Sequence, residues 1–300
     1  MINTIDVRHL TVYRYAHPVR FGEHRMMLRP RDSHDLRVLG TSLEIHPAAS
    51  LRWVHDVFGN SIAVATFADM AHELSVESRV RIAHHLGAGT EVVLDPSAWR
   101  YPFAYDTDDL VDLQSCLAVE GPDANGTVAA WARGFLRAAT TSDTLELVSK
   151  MNLTIQREFT YRRRDEAGTQ SAAVTLATRT GSCRDFAMLL MEAARHLGIA
   201  ARFVSGYLYD DAQVGPVPSF VGTGAAHAWA ELFLPGAGWV EFDPTNGLYG
   251  GRNLVRVAVA RRPSQAMPMS GSFVGATSDL LGMSVTVTVT VEAASVPPPA

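Results

Sequence analysis

Residues 180–187 read Thr180-Gly181-Ser182-Cys183-Arg184-Asp185-Phe186-Ala187, a turn that passes into a helix with a thiol at its start. Phe186, Leu189, Leu190, Ala193, Ala194 and Leu197 follow at helical spacing, and Gly198 supplies the stop. Gly181 permits the sharp turn, so Cys183 falls in the first helical turn, where unpaired N–H groups and the helix dipole favour negative charge. Asp185 lies two positions on, about 200° around the helix, and is expected to face away from the thiol and to cap or anchor.

A thiol attacks as thiolate, and its free pKa of about 8.5 leaves little of that form at neutral pH. Placement at a helix start contributes about 0.3–1 kcal/mol, less than one pKa unit, so an imidazolium partner has to dominate. His227 and Asp243 follow in chain order, in His227-Ala228-Trp229 and Glu241-Phe242-Asp243-Pro244-Thr245. Strand periodicity puts His227, Trp229, Glu231 and Phe233 on one face of residues 227–234 and the small Ala228 and Ala230 on the other, which suits close packing on the Cys183 helix. Asp243 ends the next strand. It lies directly opposite His227 if paired residue numbers sum to about 470, which needs a three-residue turn at Leu234-Pro235-Gly236. Its role is then to orient the imidazole and stabilise the cation. Asn246 is the alternative orienter. Trp229, Tyr207 and Tyr209 are candidates either to line the cleft or to pack, and the oxyanion hole is expected to use the Cys183 backbone N–H.

Upstream, residues 4–90 read as strands. Residues 6–15 alternate imperfectly, and the alternation is cleaner over Ser42–His46 and Glu73–Ala83; Gly59-Asn60 reads as a two-residue hairpin turn between 51–58 and 61–67. Short strands at this spacing predict an antiparallel β-sandwich. Prolines and acidic residues over 95–123 predict a linker with a short helical piece. Helices are predicted over 128–139 and 144–159, the latter capped by Asp143 or Ser142, with a helical turn over 172–178. A Gly/Pro-rich loop spans 210–226, and strands resume at 227–234, 239–243, 255–260 and 284–292. The expected organisation is α+β: an N-terminal β-sandwich domain over 1–95, a catalytic core with C-terminal strands over 96–292, and a disordered tail over 293–300.

The 300 residues, 47% hydrophobic and 19% charged, have the composition of an ordinary globular protein able to build a core without disulfides or metal. A net charge of −5 and a basic run of only Arg162-Arg163-Arg164 argue against nucleic-acid binding. His residues show no paired ligand spacing, and no phosphate loop or dinucleotide fingerprint occurs, so neither metal nor cofactor is expected. The two cysteines do not make a secreted scaffold; Cys116 reads as a buried small side chain. The first residues lack an apolar signal core, and no stretch approaches the roughly 20 apolar residues of a membrane span, so the cytoplasm is the expected location and no membrane partner is expected.

At four linked blocks the chain resembles the bacterial transglutaminase-like superfamily: residues 179–187 around Cys183, Leu197–Tyr207, His227–Glu231 and Gly238–Asn246. Leu43-Glu44-Ile45-His46-Pro47 and Asp56-Val57-Phe58-Gly59-Asn60 are similar to the β-rich N-terminal domain that accompanies this core in bacteria. The resemblance implies a papain-like fold, a helix carrying the cysteine packed on an antiparallel sheet, with Cys183, His227 and Asp243 as catalytic triad. It also implies a thiol enzyme acting on amide bonds through a thioester, expected to be a peptide or amide hydrolase. The alternatives are protein-glutamine transamidation, a non-catalytic peptide-binding module and, last, an acyltransferase using thioester donors. The expected partners are a peptide or protein substrate and, through the N-terminal β-domain, a second copy or another protein.

Overall fold

Segments that alternate in sequence form strands, and the two longest of them set the architecture. The computed structural model describes residues 2–85, 92–136, 141–164, 168–209, 220–221, 225–251 and 253–293. Strand β1 (Ile2–Phe21) pairs antiparallel with β6 (Met70–His85), and β3 (Leu36–His46) pairs with the other edge of β6. A second sheet contains β2 (His24–Arg29), β4 (Ala49–His55) and β5 (Ser61–Phe67). Tyr15, Phe21, Met26, Ala63, Ala65, Leu74 and Val76 fill the space between the two sheets, which is the expected sandwich.

The β4–β5 hairpin is present, but its turn is longer than Gly59-Asn60 predicts. His55 pairs with Ser61, leaving five residues between them. The Asp56 carboxylate organises this loop by accepting from the backbone N–H of Phe58 (2.9 Å) and Asn60 (2.8 Å) and from Asn60 Nδ2 (2.8 Å).

The catalytic-core segment builds its own sheet from β7 (Ala201–Leu208), β8 (Ala226–Leu234), β9 (Gly238–Asp243) and β10 (Leu254–Ala260). Across it, β9, β8, β7 and β10 are neighbours in that order. On one face lies α3 (Cys183–His196), which shares a core cluster with α1 (Thr144–Glu158) and α2 (Ala172–Thr178). Asp143 caps α1 by accepting from Glu146 N–H at 2.9 Å. Phe186, Ala187, Leu190 and Ala194 of α3 share a cluster with Ala228, Ala230 and Leu232 of β8, so the small-residue face does meet the helix. The predicted helical piece near residue 110 is Thr107–Leu117, where Cys116 is a buried free thiol beside Leu113 and Ala200.

The last strand is where the sequence-based organisation needs correction. Of the C-terminal strands assigned to the 96–292 core, β10 belongs to the core sheet, whereas β11 (Leu280–Ala293) pairs with β1 from Asn3↔Ala293 to Tyr15↔Leu280. Its Val/Thr alternation explains why: Val285, Val287, Val289 and Val291 extend the apolar face of Ile5, Val7, Val80 and Ile82. Residues 294–300 of the expected tail, and 210–219 and 222–224 of the expected loop, lie outside the described residues.

That same face joins the two halves. At one end the β1–β6 sheet covers β2, β4 and β5; at the other, Ile5, Val7, Leu36, Val80 and Ile82 pack on Tyr207, Tyr209, Val255 and Val257 of the core sheet. Polar locks sit within the seam. His84 Nδ1 and Tyr209 hydroxyl are 2.8 Å apart, and His9 Nδ1 and Tyr207 hydroxyl 3.1 Å. Asn60 pairs with the Val259 backbone twice, donating to its carbonyl at 2.6 Å and accepting from its N–H at 2.9 Å.

Candidate active site

Cys183 opens α3 because the turn before it is tight enough to need glycine. A Cβ on Gly181 would come within 2.8 Å of Asp185 Cβ and 3.2 Å of Phe186 Cε1. Asp185 ties the helix start to the preceding loop, the anchoring role expected of it. Its carboxylate accepts from Ser182 N–H and hydroxyl (both 2.8 Å), Gln170 N–H (2.7 Å) and Arg164 Nη1 (2.9 Å). Burial alone would push this acid up; those hydrogen bonds hold it below the usual carboxylate range. At the far end of α3 the buried Arg195 pairs with Glu192 (2.9 Å) and donates to the carbonyls of Cys116, Ala201 and Arg261. The helix is thus pinned at both ends.

His227 and Asp243 reach the thiol from the adjoining β8–β9 hairpin. The hairpin pairs Leu234 with Gly238 and Ala230 with Phe242, so paired numbers sum to 472 rather than 470. The three-residue turn is Pro235-Gly236-Ala237, closed by Ala237 N–H donating to Leu234 carbonyl at 3.0 Å with Gly236 at φ +86°. The parity is unchanged, so Asp243 keeps to the face of His227 but stands diagonal to it. The diagonal still closes: His227 Nε2 and Asp243 Oδ2 are 2.8 Å apart, with both side chains fully buried.

The ring's other nitrogen, Nδ1, is buried and forms no hydrogen bond of standard geometry. Burial by itself would lower the imidazole pKa; the charge and hydrogen bond of Asp243, together with Cys183, outweigh it and raise His227 to about 10. The Asp243 carboxyl, which burial alone would raise, is held below its usual range by His227 and by hydrogen bonds from Asn246 (2.8 Å) and Thr245 N–H (2.9 Å). Each member of the pair thus favours the charged form of the other.

Residues 5–83 match the model of the bacterial transglutaminase-like N-terminal region, and residues 129–244 match that of the transglutaminase-like superfamily. Residues 5–83 are thus a bacterial transglutaminase-like N-terminal region and residues 129–244 a transglutaminase-like superfamily domain. An uncharacterised protein of Mycobacterium tuberculosis is 26% identical over 273 residues, spanning 88% of this chain and 86% of its own. The protein-glutamine gamma-glutamyltransferase of Pseudomonas aeruginosa is 37% identical over 70 residues, 23% of this chain and 10% of its own. Among solved structures, a candidate cysteine protease from Cytophaga hutchinsonii superposes with a TM-score of 0.71 at 18% identity, covering 99% of this chain and 93% of its own. That likeness covers the fold of both halves.

Trp229 stacks on the His227 ring (centroids 6.1 Å apart, planes at 28°) and is wholly buried. Room for it comes from Gly206, the cross-strand partner of His227, where a Cβ would lie 2.7 Å from Trp229 Cη2. Tyr207 and Tyr209 do not reach the site; they face the N-terminal sheet and bond His9 and His84. Sequence reasoning passed over Tyr161. It pairs with Gly181 in a short parallel bridge, packs on Phe186, and has its phenol pushed up chiefly by burial. Its position between an alternating Phe159-Thr160-Tyr161 run and a polar loop carries no periodic signal by itself. Also unanticipated is the buried charge behind the hairpin: Glu231 pairs with Arg202 and Arg256, and Arg256 also reaches Glu241 (3.2 Å). Burial, then the neighbouring Glu231 and Asp35, push Glu241 up to about 8 against the pull of Arg256. Among the described residues no His/Cys/Asp/Glu cluster has metal-binding geometry, and no helix is long and apolar enough to cross a membrane.

Proposed function

We propose that the protein is a cysteine-dependent amide hydrolase in which Cys183, His227 and Asp243 form the catalytic triad. One observation carries this reading: the buried 2.8 Å contact of His227 Nε2 with Asp243, which leaves Nδ1 for the Cys183 sulfur. An imidazolium held there favours the thiolate. The sulfur lone pair attacks the amide carbonyl carbon, and the C=O π electrons move to oxygen, where the Cys183 backbone N–H at the helix start is the expected donor. On collapse the C–N bond breaks, His227 delivers its proton to the leaving nitrogen, and a thioester remains. Water then attacks the thioester carbon, His227 takes the water proton, and the C–S bond breaks to release the acid and return the thiolate–imidazolium pair. Asp243 keeps the ring oriented throughout and stabilises its cationic form. The substrate class is a peptide or protein, and the cytoplasm is the proposed compartment.

Transamidation is the second reading, favoured by the 70-residue likeness to a protein-glutamine gamma-glutamyltransferase. There a primary amine replaces water at the thioester. Steady-state kinetics on peptide and glutamine substrates, with and without an added primary amine, separate the two. Peptide cleavage that ignores the amine supports hydrolysis; turnover only when amine is present removes it. Alkylation by iodoacetamide at pH 6 tests the premise common to both: Cys183 has to react faster than free cysteine.

A further inference from the structure

The Asp243 carboxylate is held by more than the imidazole. After β9 the chain turns back on itself, with Gly247 N–H donating to Asp243 carbonyl at 2.8 Å, and this turn aims Asn246 at the carboxylate. Asn246 Nδ2 donates to Asp243 Oδ2 at 2.8 Å, the same oxygen that takes His227 Nε2. The rest of the carboxamide engages Val221, accepting from its N–H at 2.8 Å and donating to its carbonyl at 3.2 Å. Phe220, the residue before, packs on the cluster that contains Trp229, and Trp229 stacks on His227. Residues 220–221 therefore connect to the His–Asp pair by two routes, the Val221 backbone through the Asn246 amide to the acid and the Phe220 side chain through the cluster holding Trp229 to the base.

We propose that Asn246 is a positioning residue that couples the backbone at Val221 to the Asp243 carboxylate and so sets the acid limit of the Cys183–His227 pair. The inference rests on the proposed triad. A planar carboxamide satisfied on both edges has one orientation, so the N–H offered to Asp243 is fixed by Val221 and not by solvent. Donation to the ionised carboxylate favours the ionised form. Around Asp243 the titratable groups are His227 on β8 and, through it, Cys183 on α3. Glu241 lies two residues back on the same face of β9, followed by Glu231 of β8, Arg256 of β10 and Asp35 of the N-terminal region. From α1 the facing group is the neutral Asn152, whose Nδ2 donates to Leu248 carbonyl. None of these is altered by changing Asn246 or Val221.

The test is the rate of Cys183 alkylation by iodoacetamide from pH 3.5 to 10 in the full chain, for wild type, Asn246→Ala, Asn246→Asp and Val221→Pro, with thermal unfolding of each. Asn246→Ala removes the donor and is expected to move the acid inflection up by about one pH unit. Asn246→Asp adds a like charge and moves it further, by about two units. Val221→Pro removes the N–H that orients the carboxamide and is expected to reproduce at least half of the alanine shift. Inflections that stay put in folded Asn246 variants overturn the proposal, as does a Val221→Pro profile identical to wild type. Wild-type Cys183 that alkylates no faster than free cysteine would instead sink the triad reading itself.

Discussion

Asp243 stands two residues along from His227 in the β8–β9 hairpin, not across from it, and still brings Oδ2 to 2.8 Å from Nε2. The diagonal contact places Trp229 beside the pair, on the ring face of His227. In the proposed mechanism a buried acid in this position orients the imidazole and stabilises its charge without taking the proton.

Asp243→Asn should therefore leave the fold in place and remove most activity. The amide matches the carboxylate in shape but lacks its charge, so the ring loses both its preferred tautomer and its cationic form. The expected fall in kcat/KM is roughly 10³–10⁴-fold, the scale seen when the acid of a His-dependent triad is neutralised. A loss under tenfold, measured on any peptide the wild type cleaves, would remove Asp243 from the mechanism.

His227 also ties stability to pH. Its folded pKa, about 10, lies above the unfolded value near 6.5, so the folded state binds the extra proton. The stabilisation is complete below pH 6.5 and is lost as pH rises towards 10. Urea midpoints should fall over this range more steeply for wild type than for His227→Gln, which has no proton to lose. Parallel slopes would contradict the buried cation.

His9 acts with the opposite sign. It is buried beside Tyr207 and Thr11, and burial lowers its pKa to about 4. Between pH 6.5 and 4 the unfolded chain takes up a proton that the folded seam refuses, so stability drops as pH falls, by on the order of 3 kcal/mol for this residue. His9→Gln keeps hydrogen-bonding capacity without the titration and should flatten that part of the acid-unfolding curve, followed by urea denaturation at pH 7 and 4.5.

Gly206 is expected to tolerate no side chain. A Cβ there would lie 2.1 Å from the Val255 carbonyl and 2.7 Å from Trp229 Cη2. Gly206→Ala must part β7 from β10 or tilt the indole off His227, at a cost of about 2 kcal/mol or more. Chemical denaturation reads the first effect and Cys183 alkylation the second; wild-type values for both would show that the strand pair has slack.

Because one apolar face joins the halves, Val287→Asp in β11 should loosen the core as well as the sandwich. Val287 is buried in a cluster holding Ile5, Val7, Tyr207 and Val255. An unpaired carboxylate there is expected to cost roughly 3 kcal/mol or more and to shift a single unfolding transition followed by sandwich and core probes alike. Two separate transitions, with only the sandwich shifted, would mean the halves are stabilised independently.

Much of the site is legible in sequence because its determinants are local. Gly181, the thiol, the acid at Asp185 and the apolar stripe to Leu197 lie within one turn and one helix, and the small face of β8 is read from alternation over a few residues. Side chains that must meet across strands are another matter. The sum of 472, the five-residue Asp56–Asn60 turn and the two-sided grip of Asn246 depend on how a loop closes, which a carboxylate or one glycine shifts by a residue without altering any periodicity. The fate of β11 is more distant still: Val/Thr alternation specifies a strand with one apolar face but not which sheet it completes. Helix, strand face and the order of the reactive groups thus belonged to the sequence, since backbone sterics and periodicity act over neighbouring residues. Register, the sheet that receives the last strand, and the buried partners of His9, Asp243 and Arg256 were decided by tertiary packing, because only contact between distant segments determines which apolar face and which charge are withdrawn from water.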